Sequence, residues 1–158
     1  MNTHEYHVGV TWEGGRKGLI FSPEITGTPF NAEPIQVATP PEFPNGVPGV
    51  WSPEHLFTAA VSSCMMTTFL AIAENSKLNF ESFSCPATGK LELTGGQWIM
   101  SEVILLPQLK ISDESKRELA KRVLDRAEKA CLISRSIISK ISVQSTIDVA
   151  EHASVVSN

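Results

Sequence analysis

The 158-residue chain is predicted to be α+β, and three observations carry that reading. Several short stretches alternate apolar and polar residues, as half-buried strands do. One long segment, from Ser52 to about Asn75, is apolar nearly all round. A later one, Leu119 to Cys131, gathers its apolar residues on a single helical face. The order is strands, apolar helix, hairpin, amphipathic helix and strand, with no internal repeat. Such runs of like elements fit α+β better than a regular βαβ alternation.

Taken in order, Tyr6, Val8, Val10 and Trp12 alternate with His7, Gly9 and Thr11 and predict the first strand. Gly14-Gly15-Arg16-Lys17-Gly18 reads as a turn, since glycine accepts positive φ, and Leu19-Ile20-Phe21 as the return. Ile35-Gln36-Val37 is a further strand. Pro40, Pro41, Pro44 and Pro48, with Gly46 and Gly49, make the following stretch a semi-rigid loop, because proline fixes φ and removes a donor. Ser52 is a helix cap, Pro53 suits the first helical position, and Glu54 complements the positive end of the dipole. A helix surrounded by Leu56, Phe57, Val61, Met65, Met66, Phe69, Leu70 and Ile72 is expected to be central and buried on all sides. Phe83 to Leu93 reads as one strand, Gly95-Gly96 as a hairpin turn and Trp98 to Leu106 as its partner. Ser112 is expected to cap the second helix. Ile141, Val143 and Ile147 read as one last strand. The length fits a single domain, 1–158, with a core of about 5–149 and a frayed tail at 150–158. A helix apolar all round in so short a chain calls for cover from a second copy, with the four-proline loop part of the exchange.

Thirteen Lys and Arg against 17 Asp and Glu give a net charge of −4 without a basic cluster, which argues against nucleic acid as partner. No basic leader precedes an apolar run at the N-terminus, and Ser62, Ser63, Thr67 and Thr68 interrupt the longest apolar stretch. A cytoplasmic protein with no membrane partner is therefore predicted. Three cysteines without a Cys-x-x-Cys fit neither a disulfide scaffold nor, with the four histidines, a zinc pattern, so no metal is predicted.

The thiols are where the chemistry concentrates. Cys85 falls on the inward register of its strand and reads as a packing residue. Cys131 lies at the C-terminal end of the second helix, whose negative pole disfavours a thiolate. It is a poor first nucleophile, yet it can attack a sulfur already oxidised. Cys64 lies about three turns inside its helix, beyond the reach of the N-terminal dipole. Burial raises a thiol pKa, so reactivity there demands a cation brought by the fold. Arg16, alone in the glycine turn, and Arg135 are the candidates, and Glu54 is a carboxylate that can hold a buried arginine. The competing readings are packing for Cys64, an exposed turn charge for Arg16 and a dipole residue for Glu54.

Pro41-Glu42-Phe43, Trp51-Ser52-Pro53-Glu54-His55-Leu56-Phe57, Ala59-Ala60 and Ser63-Cys64 together resemble the OsmC/Ohr family, that of osmotically induced protein C and the organic hydroperoxide resistance proteins. Ala127-Glu128-Lys129-Ala130-Cys131-Leu132-Ile133-Ser134 resembles the family's second cysteine site, with Leu132 where a proline often follows. Gly14-Gly15-Arg16 resembles its arginine-bearing loop. The proline-rich run before Trp51 is similar to the OsmC-like branch. The resemblance spans roughly residues 5 to 149. It implies antiparallel sheets around a long central helix, in an intertwined homodimer. It also implies a thiol peroxidase acting on organic hydroperoxides, with Cys64 peroxidatic, Cys131 resolving, Arg16 activating the thiolate and Glu54 holding Arg16. No bound cofactor is implied; an external dithiol, of the lipoyl type for instance, restores the thiols. The alternative on the same fold is a non-enzymatic redox-sensing or hydrophobic-ligand-binding protein.

Overall fold

The computed structural model describes residues 2–25 and 32–150, and the chain forms two compact units, residues 1–56 and 57–158. In the first unit, β1 (Gly9–Gly14) pairs antiparallel with β2 (Lys17–Phe21), and β2 with β3 (Ile35–Ala38). Gly14 and Gly15 turn the chain at φ +135° and +54°, where a side chain would be strained. β1 starts at Gly9, three residues later than the alternation from Tyr6 predicts, because its partner β2 ends at Phe21, the residue opposite Gly9. The proline loop is ordered by its own backbone. Phe43 N–H donates to Pro40 C=O (3.1 Å), Gly46 N–H to Phe43 C=O (2.9 Å) and Val47 N–H to Thr39 C=O (2.9 Å).

Helix α1 (Pro53–Asn75) starts and stops where the sequence predicts. Ser52 Oγ accepts from the His55 N–H (3.3 Å), while His55 Nδ1 lies 3.3 Å from the Ser52 N–H and 2.8 Å from Ser52 Oγ. This is a reciprocal capping box with an imidazole in place of the usual glutamate. Burial on all sides is not what the chain provides. Val61, Cys64, Met65, Phe69 and Ala73 form one buried stripe, whereas Met66 and Leu70 are 40% and 41% exposed. A helix apolar all round has no periodicity from which to read its covered face, and a single chain covers only one. The four hydroxyls also interrupt less than expected: an 18-residue window keeps a mean hydropathy of 1.8, long and apolar enough to cross a membrane by length and composition. Ser63 and Thr67 hide their polarity by donating back to Ala60 C=O and Cys64 C=O (both 3.2 Å). The buried stripe packs into the core of the second unit.

That unit holds β4 (Ser82–Ser84), β5 (Ala87–Thr94), β6 (Gln97–Leu105), β7 (Gln108–Ile111), α2 (Arg117–Ala130), β8 (Lys140–Val143) and β9 (Thr146–Val149). They form two sheets, β4-β7-β9 and β5-β6-β8, in which β7/β9 and β6/β8 run parallel and the other pairs antiparallel. The single strand predicted over Phe83–Leu93 is thus two strands in different sheets. The break falls at Cys85-Pro86, since proline has no N–H for a ladder. The last strand likewise divides, β8 joining one sheet and β9 the other. β7, with Leu109 and Ile111 buried, was not predicted. The cap before α2 is Asp113, not Ser112: its carboxylate accepts from the Ser115 N–H (2.8 Å) and opens a 3₁₀ turn that leads into α2. At the core, Phe69 stacks on Phe83 (centroids 4.4 Å apart) and meets Phe80 edge-on (5.2 Å). Gly89 lets β5 run close beneath α1, where a Cβ would strike the Thr58 hydroxyl. The tail expected to fray past residue 150 lies outside the described residues.

Candidate thiol site

α2 stops at Ala130 because Cys131 turns extended (φ −61°, ψ 109°). A tight turn follows: Arg135 N–H donates to Cys131 C=O (3.2 Å), Ser136 N–H to Ile133 C=O (2.9 Å) and Ser136 Oγ to Leu132 C=O (2.8 Å). It brings Cys131 against Cys64 on the buried stripe of α1. Both are free thiols, 1% and 9% exposed, and each shifts the ionisation of the other. Thr68 Oγ1, one helical turn on, lies 3.9 Å from Cys64 Sγ, and Ser134 Oγ donates to Cys131 Sγ at 3.1 Å.

These contacts set the two sulfurs apart. Burial pushes the Cys64 thiol up, but hydrogen bonds from Cys131, the Ile133 N–H, Thr68 and the Leu132 N–H outweigh it, and the group sits below the ordinary thiol value. At Cys131 burial raises the thiol, and the hydrogen bond to Cys64 raises it further, because it favours the protonated donor. Ser134 offsets this only in part. Cys64 is therefore the acceptor and the first of the pair to ionise. A cation was expected for this from the sequence; within the second unit hydrogen bonds lower the thiol as well, and they cannot be read from the spacing of charged residues. Arg135 is exposed, and it is its backbone N–H that closes the turn.

Cys85 is half-buried against the core, and burial pushes its thiol up. Ser62 Oγ donates to its carbonyl at 2.6 Å, which fits the packing role. In the first unit, Arg16 and Glu54 line one cavity of about 520 Å³ whose other walls include Val10, Trp12, Val37 and Phe43. Trp12 Nε1–H donates to Gly15 C=O (3.1 Å) and Thr39 N–H to Arg16 C=O (3.1 Å), which fixes the arginine turn. The structure thus places Arg16 and Glu54 on the walls of one cavity, and Cys64 beside Cys131. Thr68, Ser134 and the two amides were not singled out from sequence as partners of the thiols. The polar flank at Thr67-Thr68 and the Ser134 that closes the second cysteine segment were the signals for two of them. His7 pairs with Glu24 (2.6 Å), and among the described residues no group of three or more His, Cys, Asp or Glu is placed to hold a metal.

The uncharacterized protein YmaD of Bacillus subtilis is 23% identical over 147 residues, covering 91% of this chain and 93% of its own. An OsmC-like protein of unknown function from Vibrio cholerae superposes with a TM-score of 0.78 at 24% identity, over 91% of this chain and all (100%) of its own. An organic hydroperoxide resistance protein OsmC from Legionella pneumophila does so with a TM-score of 0.68 at 20% identity, over 94% and 100%. Likeness at these identities establishes the fold. The family model described as OsmC-like protein matches residues 46–146, a span that holds both Cys64 and Cys131, and this chain belongs to that family.

Proposed function

We propose that the chain is a two-cysteine peroxidase that reduces organic hydroperoxides to alcohols. The opposed settings of the hydrogen-bonded Cys64 and Cys131 carry this reading. The name of the Legionella structure, an organic hydroperoxide resistance protein, supports it. The Cys64 thiolate attacks the terminal oxygen of ROOH; an S–O bond forms, the O–O bond breaks, and the alkoxide leaves, taking a proton from Cys131 to become the alcohol. Cys131, now a thiolate, attacks the sulfenic sulfur. The S–S bond forms and hydroxide leaves, to be protonated to water. An external dithiol, small or lipoyl-type, restores both thiols by exchange and is itself oxidised to a disulfide. Arg16, held by Glu54, enters as the activating cation, and the apolar walls of the Arg16 cavity suit a greasy peroxide over hydrogen peroxide. The proposed setting is a homodimer in the cytoplasm, where thiols stay reduced.

The test is steady-state turnover of cumene hydroperoxide against hydrogen peroxide with dithiothreitol as reductant. The organic substrate should win, and Cys64→Ser should abolish turnover; undiminished activity in that variant would sink the reading. The 520 Å³ cavity also favours a second one, a redox sensor or a binder of apolar ligands. Consumption of a single equivalent of peroxide, despite excess dithiol, selects the sensor.

A further inference from the structure

We infer that Ser134 is a catalytic residue of thiol regeneration: its hydroxyl holds the Cys131 sulfur as leaving group while an external dithiol attacks the disulfide at Cys64. The inference rests on the Cys64–Cys131 disulfide proposed above.

Exchange at a disulfide needs access to one sulfur and a stable thiolate on the other. Access favours Cys64, which is 9% exposed against 1% for Cys131. Attack there makes Cys131 the leaving group, in a setting that is poor for a charge. Cys131 is buried and ends α2, where the negative pole of the dipole opposes an anion. Ser134 answers this directly. Its Oγ donates to Cys131 Sγ at 3.1 Å, whereas Thr68 Oγ1 lies 3.9 Å from Cys64 Sγ, so the firmer hydroxyl contact is at Cys131. Backbone bonds on either side fix the place of Ser134: Arg135 N–H donates to Cys131 C=O (3.2 Å) and Ser136 N–H to Ile133 C=O (2.9 Å). Only side-chain torsions remain to aim the hydroxyl. Burial and then Cys64 push the Cys131 thiol up, and Ser134 pulls it down. A hydrogen bond to a charged acceptor is stronger than one to a neutral acceptor, so this bond tightens as charge gathers on Cys131. The dithiol, as its monothiolate, forms an S–S bond to Cys64; the Cys64–Cys131 bond breaks and its electron pair stays on Cys131. The second thiol of the dithiol gives its proton to Cys131 and attacks its own sulfur in the mixed disulfide, releasing Cys64 as thiolate. The protein disulfide is reduced and the dithiol is oxidised to its own disulfide.

The disulfide is made with diamide, so no peroxide enters the experiment. Glutathione, a monothiol that stops at the mixed disulfide, is added, the reaction is quenched early in acid, and the adduct is located by peptide mass spectrometry. In the wild type glutathione should sit on Cys64 with Cys131 free. An adduct on Cys131 overturns the inference, as does a failure of diamide to join the two thiols. Reduction by dithiothreitol is then timed in two variants. Ser134→Ala should be slower by about tenfold, the loss of one hydrogen bond to an anion. Ser134→Thr, which keeps the hydroxyl, should be reduced at nearly the wild-type rate. An unchanged rate in Ser134→Ala, or an equal loss in Ser134→Thr, overturns the assignment. Disulfide formation should slow less than reduction in Ser134→Ala, because a Cys131 thiol that ionises less is a stronger nucleophile once ionised. Equal slowing of both directions would reduce Ser134 to a packing role and overturn the assignment too. The wild-type adduct depends on no variant, and the peroxidase reading, tested by peroxide turnover, stands or falls separately.

Discussion

Burial alone would set Cys64 and Cys131 both above the ordinary thiol range, and it is their hydrogen bonds that separate them. The Cys131 thiol is the strongest donor to Cys64, so Cys131→Ala should do more than remove a resolving group. With that donor gone the Cys64 midpoint rises, and since the thiolate is the form above the midpoint, alkylation at neutral pH slows; an unmoved midpoint would show that the thiol–thiol bond contributes nothing. Cys131→Ser keeps a hydroxyl donor but cannot form a disulfide. It should consume about one equivalent of hydroperoxide and then stall, with Cys64 driven to sulfinic acid by excess oxidant. Mass spectrometry of the Cys64 peptide reads this, and normal cycling would remove Cys131 from the mechanism. At this scale the sequence shows which residues matter sooner than it shows why. That Cys64 lies beyond the helix N-terminus and Cys131 at a C-terminus follows from spacing, and with it the order in which they ionise. What brings the Cys131 thiol to Cys64 is the turn after α2, whose backbone bonds cannot be read from residue types.

Elements are legible where a residue type leaves the backbone little choice. Ser52-Pro53 fixes the start of α1, and the glycines of the two hairpin turns fix theirs. Ser52→Ala removes the oxygen that accepts from the His55 N–H and should cost about 1 kcal/mol of stability. A denaturation midpoint equal to the wild type would place the capping in His55 alone. Elements are illegible where the pattern runs on through a change of partner. Phe83, Cys85 and Ala87 keep one register across Pro86 although β4 and β5 belong to different sheets, and Ile141 to Ile147 does the same across the gap between β8 and β9. What ties β8 to its own sheet is polar. Glu102 on β6 takes Lys90 Nζ of β5 (2.6 Å), Ser142 Oγ (2.6 Å) and Lys140 Nζ (3.2 Å), the last two on β8. Hydrogen bonds from Lys90, then Ser142 and Lys140, hold its carboxyl down to about 2, from 4.5 when unperturbed. A carboxyl lowered on folding stabilises the fold above its unfolded value, and that contribution is lost as pH falls through the folded one. Stability should therefore drop between about pH 4.5 and about pH 2, and Glu102→Gln should flatten that part of the curve. Equal acid profiles for the two proteins would rule the network out as a pH-dependent tie.

At the scale of the molecule the open matter is the far side of α1. Ser63, Met66, Thr67, Leu70, Ala71 and Glu74 are exposed at helical spacing, opposite the stripe that enters the core. Apart from Glu74 this second stripe carries no charge, and small residues lie beside Met66 and Leu70, a composition that lets helices approach closely. Tyr6, Val8, Val10 and Trp12 are exposed as well, each by more than two thirds. Single exposed apolar residues are ordinary on a protein surface, but contiguous patches mark association sites. A second copy meeting this stripe with its own, about a two-fold axis, covers both with one self-complementary contact. Light scattering on the purified chain should then give twice 17.2 kDa, and Leu70→Glu, which sets like charges against each other across the axis, should return the single-chain mass. A wild type that stays at 17.2 kDa at micromolar concentration would leave this stripe of α1 exposed to water and remove the homodimer from the proposed function.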